Sequence, residues 1–154
     1  MSEQVRVEGV ENLVAKLKEL GGVTADIRKD AVTAMLRVRS AARDKAPEMS
    51  TKLKSNIIVK DETNGGELLV YCGIFSPQVN YAVYVEYGTG IHAENGQGRK
   101  EPWIAPMVID GEDTFRWTEG MHPQPFLRPA WDEKKDEVQK IIVQALQARI
   151  KALT

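Results

Sequence analysis

Ile27, Ala31, Ala34, Val38, Ala41 and Ala42 recur at three- and four-residue intervals, and this alanine-rich stripe constrains the fold more than any other feature. Residues spaced this way share one face of an α-helix, so the pattern predicts a helix over about residues 25–46. Small side chains on that face let another element approach closely. Thr24 offers a hydroxyl N-cap. Pro47 ends the helix, because the residue before a proline is pushed out of the α region. A shorter helix is expected before it, over residues 9–20, from Val10, Leu13, Val14, Leu17 and Leu20. Gly21-Gly22 reads as its stop, since glycine adopts the left-handed conformation that helix ends favour.

The middle of the chain changes period. Asn56–Lys60 and Leu68–Cys72 are rich in β-formers and predict a hairpin with a loose tip containing Asn64-Gly65. Ser76-Pro77 breaks the second strand. Tyr81–Tyr87 fits both a helical face and a strand alternation, and a short helix is the reading adopted. Residues 88–102 form a polar, glycine-rich stretch expected to be a flexible loop. Trp103–Ile109 and Thr114–Thr118 predict two further strands joined through Asp110-Gly111. Pro123, Pro125 and Pro129 stiffen the next turn, and a helix is expected over about residues 130–152. Its apolar band, Trp131, Val138, Ile141, Ile142, Ala145, Leu146, Ile150 and Leu153, is wider than one packing contact needs. Ile142, Leu146 and Ile150 are therefore candidate oligomer contacts. The class expected is α+β: a small, mainly antiparallel sheet with a long helix from the N-terminal half and a C-terminal helix packed on it. One domain over residues 1–154 accounts for the length.

Composition narrows the chemistry. With 42% hydrophobic and 28% charged residues the chain reads as an ordinary globular one. A formal net charge of −1 leaves no overall footprint of a nucleic-acid binder. The lone Cys72 forms no internal disulfide and is expected to be a buried small hydrophobe. Met1-Ser2-Glu3-Gln4 lacks the basic-then-apolar pattern of a signal peptide, and no apolar run approaches the roughly 18 residues of a membrane span. Expression in a reducing cytoplasm, with no membrane partner, is the expectation.

No catalytic or metal motif stands out. His92 and His122 are thirty residues apart and in no ligand pair, so both are expected to be solvent-exposed loop residues with no metal. Glu86 would need His92, His122 or Glu94 beside it to act as an acid or base. The structural reading is preferred: it pairs with Arg128 or caps the backbone of the following turn. Gly88-Thr89-Gly90 lacks the spacing of a phosphate loop. Neither a cofactor nor an enzymatic activity is expected. Residues 28–54 carry eight basic against three acidic side chains. On a monomer that is a solvated face. Repeated around a ring, Arg37, Arg39, Arg43, Lys52 and Lys54 could face a channel or DNA.

The ordered set Tyr84-Val85-Glu86-Tyr87-Gly88-Thr89, Pro102-Trp103, Gly120 and Pro125-Phe126-Leu127-Arg128-Pro129-Ala130 resembles the HK97 gene-product-10 type of tailed-phage protein. The two early helices and Thr51–Ile57 fall in the same order, so the likeness spans nearly the whole chain. It implies a virion structural protein of the neck, in a family that includes tail-completion and tail-terminator proteins. It further implies a homo-oligomeric ring, with a hexamer expected, placed between head connector and tail tube. DNA would be only passing cargo. Tyr84, Glu86, Gly88, Thr89, Trp103 and Pro125–Ala130 would then be the family and assembly residues.

Overall fold

A computed structural model of the chain describes residues 10–48, 51–64, 67–109 and 111–153, with the backbone alone for residues 10–26, 109 and 153. Gly9, Gly65 and Asp110, and the side chains of Val10, Leu13, Val14, Leu17, Leu20, Thr24 and Leu153, on which expectations were placed, lie outside what is described. The elements in order are α1 (Val10–Lys45), α2 (Thr51–Ser55), β1 (Ile58–Asp61), β2 (Val70–Gly73), α3 (Ala82–Tyr87), β3 (Trp103–Ile109), β4 (Glu112–Thr118) and α4 (Leu127–Leu153). The class is α+β, as expected. The strands make two separate antiparallel hairpins, β1–β2 and β3–β4, rather than one sheet.

α1 departs from the two helices expected over residues 9–20 and 25–46. Gly21-Gly22 does not stop a helix: α1 runs unbroken for 36 residues. Each mid-helix glycine costs only about 1 kcal/mol, and the helix-forming residues on either side outweigh that. Thr24 is therefore mid-helix rather than at a helix start. Every position of the alanine-rich stripe, Ile27 to Ala42, is buried. α4 is the chief element packed on α1, and the β1–β2 hairpin packs on it too. Arg37 pairs with Glu137 and Lys45 with Glu133. The number rises on one helix as it falls on the other, so the two helices run antiparallel.

The core sits where the C-terminal half of α1 meets α2, α3 and the start of α4. Phe126, Leu53, Ile57 and Val79 are the largest fully buried side chains there, ringed by Val38, Ala42, Ala82, Val85 and Ala130. α2 was not foreseen. It is one turn of helix whose single buried side chain, Leu53, plugs the end of this core. The β1–β2 hairpin lies against α1, and Arg28 on α1 pairs with Asp61 at its edge. That pair holds the Asp61 carboxyl down at about 2. Cys72, expected to be buried, is half-buried on β2 and lies at the margin of the core. The β3–β4 hairpin stands off the helices, its chief contacts being those between its own two strands.

Candidate functional site

The family residues converge on one junction, where α3 ends, residues 88–94 turn back, and α4 begins. Four backbone N–H groups at the start of an α-helix have no partner within it. At α4 these belong to Phe126, Leu127, Arg128 and Pro129, and proline has no N–H to leave unsatisfied. The other three all donate to a single side chain, Glu86 of α3: Phe126 N at 2.8 Å and Leu127 N at 3.0 Å to Oε2, and Arg128 N at 3.0 Å to Oε1. A carboxylate forty residues back in sequence thus caps the helix. It also places negative charge at the positive end of the helix dipole. This is why the chain reads Pro-Phe-Leu-Arg-Pro-Ala here: Phe126 and Ala130 are fully buried in the core, and Pro129 sits in the first turn of the helix without adding a donor.

Arg128 completes the clamp. Its Nε donates to Glu86 Oε1 at 3.0 Å and its Nη2 to the Glu86 carbonyl oxygen at 3.0 Å. The outer nitrogens bond Glu94 at 2.8 and 2.9 Å, in the two-pronged geometry that suits a guanidinium and a carboxylate. The guanidinium carbon lies 4.5 Å from the Tyr87 ring centroid, a cation–π contact. Glu86 is only 3% exposed. Burial pushes its carboxyl up, but the three backbone donors and Arg128 outweigh burial and hold it below the usual carboxylate range. Glu94 is likewise lowered, first by its hydrogen bonds from Arg128. Arg128 is pushed well above its ordinary value by the same two carboxylates.

Glycine and threonine close the other side. The Gly88 N–H donates back to the Tyr84 carbonyl at 2.9 Å and ends α3. The Thr89 N–H donates to the Met121 carbonyl at 2.9 Å, while the Thr89 hydroxyl accepts the Met121 N–H at 2.9 Å. Next to them Gly90 has φ of 60°, and a Cβ there would lie 1.9 Å from the Glu119 carbonyl oxygen. Only glycine fits that approach. The stretch expected to be a flexible loop therefore has a first part, residues 88–94, hydrogen-bonded to α3 and to residues 119–121. Its second part, 95–102, is mostly exposed.

Outside the clamp, Tyr84, Gly88, Thr89 and Trp103 share the wall of an apolar groove of about 420 Å³ with Val83 and Tyr87. Pro125 and Leu127 are half-buried beside the core. His92 and His122, expected to be separate exposed residues, stack with ring centroids 3.7 Å apart. His92 is half-buried and His122 exposed. The Thr89–Met121 pairing brings their loops together, which no sequence spacing signals. Neither is hydrogen-bonded to Glu86 among the described residues. Among the described residues no group of three or more His, Cys, Asp or Glu could hold a metal ion. Half of the basic stretch is engaged within the subunit. Arg28, Arg37 and Lys45 are in ion pairs, and Arg43 donates to the carbonyls of Ser55 and Ile57. Arg39, Lys52 and Lys54 make no ion pair among the described residues. On α4, Ile142 is half-buried, while Leu146 and Ile150 are exposed.

Among curated proteins and among solved structures, none matches the chain. Residues 11–88, about half of the chain, match the HK97-gp10-like family, described as "Bacteriophage HK97-gp10, putative tail-component". The match takes in Tyr84, Glu86 and Gly88 and ends before Thr89, Trp103 and Pro125–Ala130. With the helices and the α3 end that the match covers, the chain belongs to the HK97-gp10-like family of bacteriophage tail proteins, a structural role in the virion.

Proposed function

We propose that this protein is a neck component of the phage particle that assembles with copies of itself into a ring, joins the head connector to the tail tube and completes the tail. In this reading it is made in the host cytoplasm, works without cofactor or metal, catalyses no reaction, and meets DNA only as cargo passing through the ring. The observation that carries the proposal is the stripe of Trp131, Val143, Leu146 and Ile150 on α4, each between 37% and 44% exposed. A long helix that leaves such a stripe uncovered on the subunit's surface has a use for it in an interface. The buried carboxylate argues the same way. A general acid or base needs a free oxygen for its substrate, whereas both oxygens of Glu86 are occupied by donors. Among the described residues, no helix is long and apolar enough to cross a membrane.

Deletion and complementation test the proposal. A phage lacking the gene should accumulate filled heads and separate tails, and the wild-type chain supplied in trans should restore joined particles. Normal yields of joined particles from the deletion would contradict it.

A further inference from the structure

The β3–β4 hairpin carries an apolar face that its own subunit does not cover. Its register sets Ile104 opposite Trp117, Pro106 opposite Phe115, and Val108 opposite Asp113. Residues directly opposite share a face, as do alternate residues along a strand. Ile104, Pro106, Val108, Phe115 and Trp117 therefore lie side by side. All are exposed, Phe115 by 74% and Val108 and Trp117 by 68% each. An aromatic side chain offers roughly 150–250 Å², so Phe115 and Trp117 alone present on the order of 200–350 Å². With Ile104 and Val108 the face approaches about half of the ~800 Å² that one partner contributes to a standard interface. A two-stranded hairpin is marginal in water without something on its apolar face. The far end of the hairpin is acidic, with Glu112 and Asp113 both exposed.

A complementary surface exists elsewhere on the same chain. Met35 and Val38 of α1, Cys72 of β2, and Leu127, Arg128, Trp131 and Asp132 of α4 line a groove of about 460 Å³. Arg39 follows Val38 on α1 and lies one helical turn from Met35, and it makes no ion pair among the described residues. Asp132 is paired with Lys135, and Arg128 with Glu86 and Glu94, so the unpaired cation beside this mainly apolar groove is opposite in sign to the acidic end of the apolar face. We infer that the β3–β4 hairpin of one copy docks its Ile104–Phe115–Trp117 face into the Met35–Cys72–Trp131 groove of the next copy. Hairpin and groove are different surfaces, so the contact is head-to-tail, the kind that closes into a ring when the rotation allows. The inference rests on the self-assembly proposed above and names the surfaces that carry it.

Cys72 is the only cysteine in the chain, which makes the contact directly testable. Val108→Cys changes size little and leaves Phe115 and Trp117 in place. Treated with a short bismaleimide, the full-length V108C chain should give a ladder of covalent dimers and larger species on a denaturing gel. The ladder should vanish when Cys72→Ser is added. As a second arm, Phe115→Ser with Trp117→Ser should raise the concentration needed for assembly at least tenfold, with circular dichroism unchanged. If wild type assembles but V108C gives no Cys72-dependent ladder, or the double serine variant assembles like wild type, the hairpin-in-groove contact is wrong and the ring proposal survives. If wild type itself stays monomeric, alone and with tails, the ring proposal falls and takes this contact with it.

Discussion

Glu86 Oε1 lies 3.0 Å from both the backbone nitrogen and the Nε of Arg128. One carboxylate oxygen thus caps Arg128 in the first turn of α4 and holds its side chain, while the other takes Phe126 and Leu127. α3, residues 88–94 and α4 depend on that carboxylate together, because Arg128 passes the tie on to Glu94 and Tyr87.

Replacing Glu86 tests this directly. Glu86→Gln keeps the shape but turns an acceptor oxygen into a donor facing buried N–H groups. Leaving such donors unsatisfied at a buried site should cost about 3 kcal/mol, read as a lower urea midpoint with unchanged slope. A variant within 0.5 kcal/mol or so of wild type would mean the cap contributes little.

Arg128→Lys should be milder. Lysine keeps the charge but loses the two-pronged contact with Glu94 and the guanidinium stacking on Tyr87. Arg128 is 42% exposed on its side chain, so solvent screens much of the interaction, and a loss of about 1 kcal/mol is expected. Urea titration beside Glu86→Gln should show the smaller effect. Equal effects would contradict the primacy of the backbone cap.

Stability should depend on pH through Glu86. Its folded carboxyl titrates below the ordinary value of 4.5. A group of this kind stabilises the fold fully above its unfolded value, and that stabilisation is lost as pH falls through the folded value. The gap in urea midpoint between wild type and Glu86→Gln should be constant from pH 7 to about pH 5 and narrow below that. A gap that widened with acid would overturn the assignment.

Gly90→Ala and Gly96→Ala form a matched pair. Both glycines have positive φ, 60° and 67°, but the new Cβ would strike the Glu119 carbonyl at position 90 and meet nothing within 4 Å at position 96. Strain alone should cost about 1 kcal/mol at position 96. At position 90 the added clash should bring the loss to about 3 kcal/mol or prevent folding. Thermal melts of the two variants separate the effects.

Much of this was legible from periodicity. The Ile27–Ala42 stripe, both hairpins, the short helix at 82–87 and the long final helix all carry local patterns that their tertiary surroundings did not override. The pairing of Glu86 with Arg128 was one of two structural roles open to that glutamate. The other, a backbone cap, is also used, but on the first turn of α4 rather than on the turn that follows Glu86. Where local pattern misled, the reason was tertiary or competitive. Gly21-Gly22 looked like a stop because a pair of glycines often ends a helix, yet the flanking helix formers carried it through. The His92–His122 stack and the Thr89–Met121 pairing join residues thirty and thirty-two apart with no spacing rule between them. α4 starts three residues early because Pro129, which looked like a turn residue, fits a helix's first turn when another side chain takes the donors around it.

Sedimentation velocity on the purified full-length chain, over a wide concentration range at near-physiological salt, tests self-assembly most directly. A discrete species several times the mass of one chain, growing at the expense of the monomer as concentration rises, is expected. A single boundary at the mass of one chain under every condition, with and without isolated tails, would contradict it.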